Sequence, residues 1–266
     1  MRNILLCGIT GRMGKVILTV VDNMKEFKVI AGVCSGTSFC DTLKSKRLPA
    51  FNSFREIVVN DFSEKPDIII DFSSPRVLDD LLTFAKSNKI PTVIGTTGYT
   101  EEQVEKIKLA SRGIPIFFSG NMSIGVNLLI KACESVASVL KENCDVEIIE
   151  KHHRNKKDAP SGTALMVADA LAKKLGLSSK NYVFSRDQRH CKRENSEIGI
   201  SSVRAGTIVG EHSVIFGLEN ETITITHSAE SRYIFAKGAL RAANFVIKQK
   251  PGIYGMKELC ENMKCC

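Results

Sequence analysis

No apolar run in this 266-residue chain approaches the roughly 20 residues that a membrane-spanning helix requires, so no membrane partner is expected. The opening Met-Arg-Asn-Ile-Leu-Leu-Cys lacks the long apolar core and small-residue cleavage site of a signal peptide, which predicts a cytoplasmic protein. The nine cysteines are odd in number, contain no CxxC pair and follow no regular spacing, arguing against a disulfide framework or a zinc module. The pair Cys265-Cys266 has the form of a prenylation tail, but no polybasic stretch precedes it, and it is read as a chance end. Internal repeats and low-complexity tracts are missing as well. Acidic residues are in modest deficit, 29 against 37 Lys and Arg. The resulting net charge of +8 attracts anions without identifying them.

What is present is ordinary for a globular protein: 43% hydrophobic and 25% charged residues, at a length that suits one large domain or two modest ones. Asn3–Cys7 is a short apolar run ending in Gly8-Ile9-Thr10-Gly11-Arg12-Met13-Gly14. Val16, Ile17, Val20, Val21 and Met24 then recur at helical spacing, and Lys28–Cys34 reads as a second buried strand. Strand, glycine turn, helix, strand is the first unit of a dinucleotide-binding fold. Further strands are expected at Asp67–Phe72, Pro91–Gly95 and Ile114–Phe118, separated by helices over Val77–Ser87 and Glu101–Ser111. This alternation predicts a parallel sheet covered on both faces.

The pattern changes after Ile124. A long helix over Gly125–Lys141 leads to an apolar run, Val146–Glu150, and later to three strand-like runs, Ile198–Arg204, Thr207–Phe216 and Glu221–Ser228, which read as a meander. An alanine-rich helix over Arg232–Lys248 could pack back on the first domain. The expected fold class is α/β: a Rossmann-like dinucleotide-binding domain, 1–123 with 232–266, and a central α+β domain, 124–231, with a mixed or antiparallel sheet.

The glycine turn leaves backbone room for a pyrophosphate at a helix N-terminus, and Arg12 is either a solvated helix-start residue or a phosphate contact. The acid that usually holds the ribose at the end of the second strand is missing: the sequence there is Val33-Cys34-Ser35-Gly36. Either NADP is accepted, or backbone and Ser35 hold the ribose. Gly95-Thr96-Thr97-Gly98 and Ser119-Gly120-Asn121-Met122 follow predicted strands, where ligands of parallel sheets bind, though plain turn chemistry also explains them. Asp71-Phe72-Ser73-Ser74-Pro75 reads as helix capping, with Ser74 as N-cap.

His152–Ala164, HHRNKKDAPSGTA, concentrates chemistry. A helix begins near Ser161, so Gly162 and Thr163 offer free amides to an anion, while His152, His153 and Lys156 supply positive charge and protons. Neighbouring residues of a strand face opposite ways, so His152 and His153 should not share a metal ion, and no metal site is expected. Interleaved aromatics are lacking and the basic cluster is short, so no nucleic-acid partner is expected. A solvated loop and an active site both remain, the convergence of imidazoles, lysine and helix start favouring the active site. His190 reads as solvent-exposed, and His212 and His227 as structural.

Together GITGRMG, DFSSP, VIGTTG, FSGNMSIGVNLL, EIIEKHHRNKKDAPSGTAL, VRAGTIVGEHSVIF and HSAESRYIFAKGALRAA, in order from residue 8 to about 243, resemble the dihydrodipicolinate reductase family. The resemblance implies a homotetramer that uses NADH or NADPH to reduce a small dianionic cyclic substrate. It implies His152 as proton donor, Lys156 as second acid, and His153, Ser161, Gly162 and Thr163 as substrate-binding. It implies cofactor contacts at Gly8, Ile9, Thr10, Gly11, Arg12, Met13, Gly95, Thr96, Thr97, Ser119, Gly120, Asn121 and Met122, with Arg232 and Phe235 near the nicotinamide. Another two-domain dehydrogenase of a small amino or keto acid would share the glycine turn but would not need the histidine segment. A dinucleotide sensor or nucleic-acid binder would need an added DNA-binding element.

Overall fold

The computed structural model describes residues 1–34, 48–59, 62, 64–186 and 191–263; Ser35, Gly36 and His190 lie outside them. The chain divides into two compact units, Met1–Met122 with Arg232–Cys266, and Ser123–Ser231.

In the first unit β1 (Arg2–Cys7) runs through the glycine turn into α1 (Arg12–Asp22), whose buried Ile17, Leu18, Val20 and Val21 form one apolar face. Next, β2 (Phe27–Val33) pairs with β1 in parallel, and a two-residue β3 (Ala50–Phe51) pairs with β2. On the other side of β1 lies β4 (Ile68–Asp71). Ser74 and Pro75 then open a short turn into α2 (Leu78–Asn88), the Ser74 hydroxyl accepting from the Arg76 amide. After β5 (Thr92–Ile94), a reciprocal Thr100–Gln103 cap starts α3 (Glu101–Ser111), and β6 (Pro115–Phe118) follows. Ile68, Ile69 and Ile70 are wholly buried, as strands covered on both faces must be.

The second unit opens with α4 (Ile124–Leu140), then β7 (Asp145–His152), α5 (Gly162–Leu175) and β8 (Tyr182–Phe184). It closes with β9 (Ile198–Arg204), β10 (Gly210–Gly217) and β11 (Thr222–Ala229). The sheet order is β11-β10-β7-β9-β8. The predicted three-strand meander is therefore corrected: only β10 and β11 form a hairpin, and β7 separates β9 from β10. The reason is a crossover. The chain leaves β7, runs through α5 and returns parallel to it, so β7 pairs with β9 in parallel and with β10 antiparallel. One face of this mixed sheet packs Val146, Ile148, Ile198, Ile200, Val214 and Phe216 against α4 and α5.

The chain then returns to the first unit. There α6 (Tyr233–Val246) buries Ala236, Ala239, Leu240, Ala243 and Val246, packing on α1 and on β4, β5 and β6. Gly238 lets that helix approach the Met122 carbonyl; a Cβ there would lie 1.8 Å from the oxygen. Finally β12 (Gly252–Tyr254) extends the sheet beside β6, and α7 (Met256–Asn262) follows. The order β12-β6-β5-β4-β1-β2-β3 is parallel throughout and reverses direction between β1 and β4, the switch point at which such sheets bind ligands.

Candidate active site

The carboxyl ends of β1, β4, β5 and β6 lie side by side, because Cys7 pairs with Asp71, Asp71 with Ile94, and Ile94 with Phe118. This register gathers Gly8–Met13, Gly95–Thr97 and the loop after Phe118 along one edge of the sheet. Gly8 has φ +79°, and a Cβ on it would lie 2.2 Å from the Phe72 carbonyl oxygen. A Cβ on Gly14 would lie 2.3 Å from the Gly8 oxygen, so both positions require glycine. Gly11 caps α1 without a side-chain bond, and the first turn carries no acid. Amides left to an outside acceptor at a helix start fit a pyrophosphate.

Individual positions along this edge differ. Ile9 is wholly buried, its side chain filling the space over Gly32, so only its backbone can face a ligand. Thr96 is buried and donates to Asp71 Oδ2 at 2.6 Å, while accepting from the Ser73 amide at 2.7 Å. Its hydroxyl thus stitches two strand-end loops together, whereas Thr97 is exposed. The Ser119 hydroxyl donates to the Asn121 carbonyl at 2.8 Å, and Asn121 and Met122 are buried. Gly120 is exposed. Arg232 and Phe235 stand at the start of α6, the Phe235 amide bonding to the Arg232 carbonyl at 3.1 Å.

The histidine segment folds around a buried carboxylate. In β7 the residues facing the core alternate as Val146, Ile148, Glu150 and His152, so period two carries the acid and the imidazole onto the apolar face. Glu150 Oε2 lies 2.6 Å from His152 Nδ1. Arg204, paired opposite His152 on β9, grips both oxygens of Glu150 at 2.8 and 2.7 Å. The Ser161 amide donates to Glu150 Oε1 at 3.2 Å, and Arg204 also donates to the Asp158 carbonyl at 2.6 Å. Burial opposes ionisation of Glu150, but the bonds from Arg204 and His152 outweigh it and hold its pKa at about 2. Burial lowers the His152 pKa, Glu150 partly offsets this, and Lys156 and Arg204 lower it further.

Ser161 is the N-cap of α5, its hydroxyl accepting from the Ala164 amide at 3.1 Å. The same hydroxyl lies 2.9 Å from His212 Nε2, and the His212 ring meets that of His152 edge-on at 5.2 Å. Burial, with the neighbouring His152, lowers the His212 pKa to about 4. Lys156 Nζ donates to Asp158 Oδ2 at 2.6 Å, and the Lys156 amide closes a turn onto the His153 carbonyl at 3.1 Å. His153 Nδ1 is buried without a hydrogen-bond partner. Gly162 is exposed, and a Cβ on it would meet nothing within 4 Å. The fold therefore brings His152, His153, Lys156, Ser161, Gly162 and Thr163 around the end of β7 and the start of α5. Ser35 lies outside the described residues.

Glu150 and Arg204 escaped the sequence reading, and His212, read there as structural, lies against Ser161 and the His152 ring. Glu150 had a local signal, an acid two residues before a histidine on the apolar face of a strand. Arg204 and His212 had none, since their positions depend on which strands flank β7.

A parallel sheet with a glycine turn at its switch point, joined to a unit that presents a buried imidazole beside a helix start, is the layout of a two-unit NAD(P)-dependent oxidoreductase. Two family descriptions match the chain: "Dihydrodipicolinate reductase, N-terminus" over residues 2–122 and "Dihydrodipicolinate reductase, C-terminus" over residues 125–260. The chain belongs to the dihydrodipicolinate reductase family. It is 46% identical to the 4-hydroxy-tetrahydrodipicolinate reductase of Caldanaerobacter subterraneus subsp. tengcongensis, over 97% of this chain and 98% of that protein. It is 40% identical to the reductase of the same name from Clostridium novyi, over 98% and 99% of the two chains. Among solved structures, a dipicolinate-bound dihydrodipicolinate reductase from Paenisporosarcina sp. TG-14 matches with a TM-score of 0.77 at 26% identity, covering 97% of this chain and 99% of that one.

Proposed function

We infer that this chain is an enzyme of lysine and diaminopimelate biosynthesis that reduces 4-hydroxy-tetrahydrodipicolinate, with loss of water, to tetrahydrodipicolinate. The observation that carries this reading is the buried Glu150–His152 pair beside the open start of α5, in a chain 46% identical to a reductase of that name. The residues 1–123 with 232–266 serve as the dinucleotide-binding domain, and 124–231 as the domain for substrate and assembly. Gly8–Met13, Gly95–Thr97, Ser119–Met122, Arg232 and Phe235 hold NADH or NADPH, which supplies the hydride when bound. His152 delivers a proton from its ring, with Lys156 as the second acid. A substrate carboxylate rests on the Gly162 and Thr163 amides, capped by Ser161, where the dipole of α5 favours negative charge. His153, with its unpartnered ring nitrogen, offers a further contact to the same anion.

The Paenisporosarcina reductase was solved with dipicolinate, a planar diacid, and this chain is proposed to take the same class of ligand in its central unit. Assembly as a homotetramer through that unit belongs to the same proposal. Action in the cytoplasm fits Cys7, Cys133, Cys144 and Cys191, none of which forms a disulfide. Among the described residues no helix is long and apolar enough to cross a membrane.

The test is a coupled assay that generates the substrate in situ and follows NADH and NADPH separately. Substrate-dependent oxidation of either, with competitive inhibition by pyridine-2,6-dicarboxylate, is the expected result. Absence of any substrate-dependent oxidation would reject the activity, and failure of the diacid to compete would reject the carboxylate site.

A further inference from the structure

The proton donor assigned above has two ring nitrogens, and the surroundings of the two differ. Nδ1 lies 2.6 Å from Glu150 Oε2. Glu150 is wholly buried, and two charged bonds from Arg204 and one from the Ser161 amide occupy it. An ionised carboxylate only accepts, so the atom facing it must carry hydrogen. On the other side of the ring is Gly210, where a Cβ would stand 3.0 Å from Nε2. Any larger residue at 210 would crowd that nitrogen.

We propose that Glu150, clamped by Arg204, is a positioning residue that holds neutral His152 in its Nδ1–H tautomer, making Nε2 the atom that gains and gives the transferred proton. This rests on His152 being the donor of the reductase reaction. Glu150 touches neither substrate nor cofactor in this scheme; it acts through the ring. Its charge favours the protonated imidazole, opposing burial, the nearby Lys156 and Arg204, and the His212 ring on β10. His227, paired with His212 across the β10–β11 hairpin, is the next titratable ring outward. The sequence carries the device compactly, as an acid and a histidine two apart on one strand, with the clamp arriving from β9.

Two measurements decide the matter. In Glu150→Gln the volume is kept, the charge is lost and the amide can either donate or accept, so the tautomer is no longer enforced. Turnover should fall about 10- to 100-fold, with the substrate KM changed less than about threefold. The donor must be protonated, so turnover declines as pH rises through the His152 pKa. Losing the carboxylate charge should move that alkaline limb down by about one pH unit or more. A limb that stays in place, whatever happens to kcat, would mean a merely structural role and overturn the proposal. Nitrogen-15 NMR of the wild-type protein, with His152 assigned by its loss in His152→Gln, should show the neutral ring protonated on Nδ1. A ring protonated on Nε2 overturns the proposal even if E150Q does not fold. If wild-type protein shows no substrate-dependent NAD(P)H loss, the reductase reading fails while the tautomer measurement still decides this one.

Discussion

Among the described residues each unit buries one carboxylate completely at or near the end of a central strand, Asp71 on β4 and Glu150 on β7, and the two are held in different ways. Asp71 accepts from the hydroxyls of Ser73 and Thr96 and, at 3.4 Å, from Tyr99. These are neutral donors, and burial wins: the Asp71 pKa is raised. Glu150 is met by a guanidinium and an imidazole, and its pKa is held at about 2. Neither side chain is exposed to solvent, but neutral donors leave burial dominant at Asp71, whereas Arg204 and His152 outweigh it at Glu150. The difference suits the two tasks. In the proposed assignment the cofactor edge needs ordered loops, which the bonds to Asp71 tie together, whereas the proton-transfer site needs a permanent charge to orient its imidazole.

The contrast can be broken from either side. The largest effect should come from His152→Gln, which is expected to lower kcat about 10²- to 10⁴-fold. The NADPH dissociation constant, from fluorescence titration, should stay within about twofold, as uniform binding is untouched; a near wild-type kcat would remove His152 from the chemistry. Gly8→Ala should give the opposite pattern, since its φ of +79° and a Cβ 2.2 Å from the Phe72 oxygen force the turn open. We expect cofactor affinity to fall more than about tenfold and stability by about 2–4 kcal/mol, with binding of pyridine-2,6-dicarboxylate to the apo protein unchanged by calorimetry. Thr96→Val removes a buried donor from Asp71 and should cost about 1–3 kcal/mol in urea unfolding. A neutral outcome would mean that Ser73 and Tyr99 suffice.

The gentlest perturbation is acid. His212 has a pKa lowered from 6.5 to about 4, so its contribution to stability is present above 6.5 and lost as pH falls toward 4. Glu150, lowered from 4.5 to about 2, contributes above 4.5 and loses that contribution as pH falls toward 2. Asp71 is raised, so its term has the reverse sign: present below its ordinary 3.8 and lost as pH rises through the folded value. Melting temperatures followed from pH 7 to 2 should therefore fall in two stages. In E150Q the lower stage should vanish, and its persistence would mean that another carboxylate carries it.

The first unit was legible because its signals are local. Glycines three apart after an apolar run, and strands alternating with helices, identify a parallel sheet without knowledge of distant contacts. The Ser161 cap was legible for the same reason, a serine before an amphipathic helix. The meander was misjudged because consecutive strands are not always neighbours: runs at 198–204 and 210–217 look like a hairpin until β7 claims the position between them. The same insertion hides Arg204 and His212. Each occupies an unremarkable strand position, and each becomes part of the site only when β9 and β10 flank β7. Glu150 sits between these cases, readable by alternation but ordinary in composition.

The layout of the first unit has a consequence for how the protein is made. Its sheet is begun by residues 1–122 but covered on part of one face by α6 and extended by β12, which emerge only after residues 123–231. At about 5–20 residues per second, ribosomes take roughly 5–20 s to deliver that intervening stretch. During this interval the isoleucine-rich surface of β4 to β6 waits without its helix, while the central unit is itself still being delivered, β10 and β11 last. A nascent chain stalled before residue 232 should therefore recruit holdase chaperones to residues 68–118, and release them once Ala236–Val246 has left the exit tunnel.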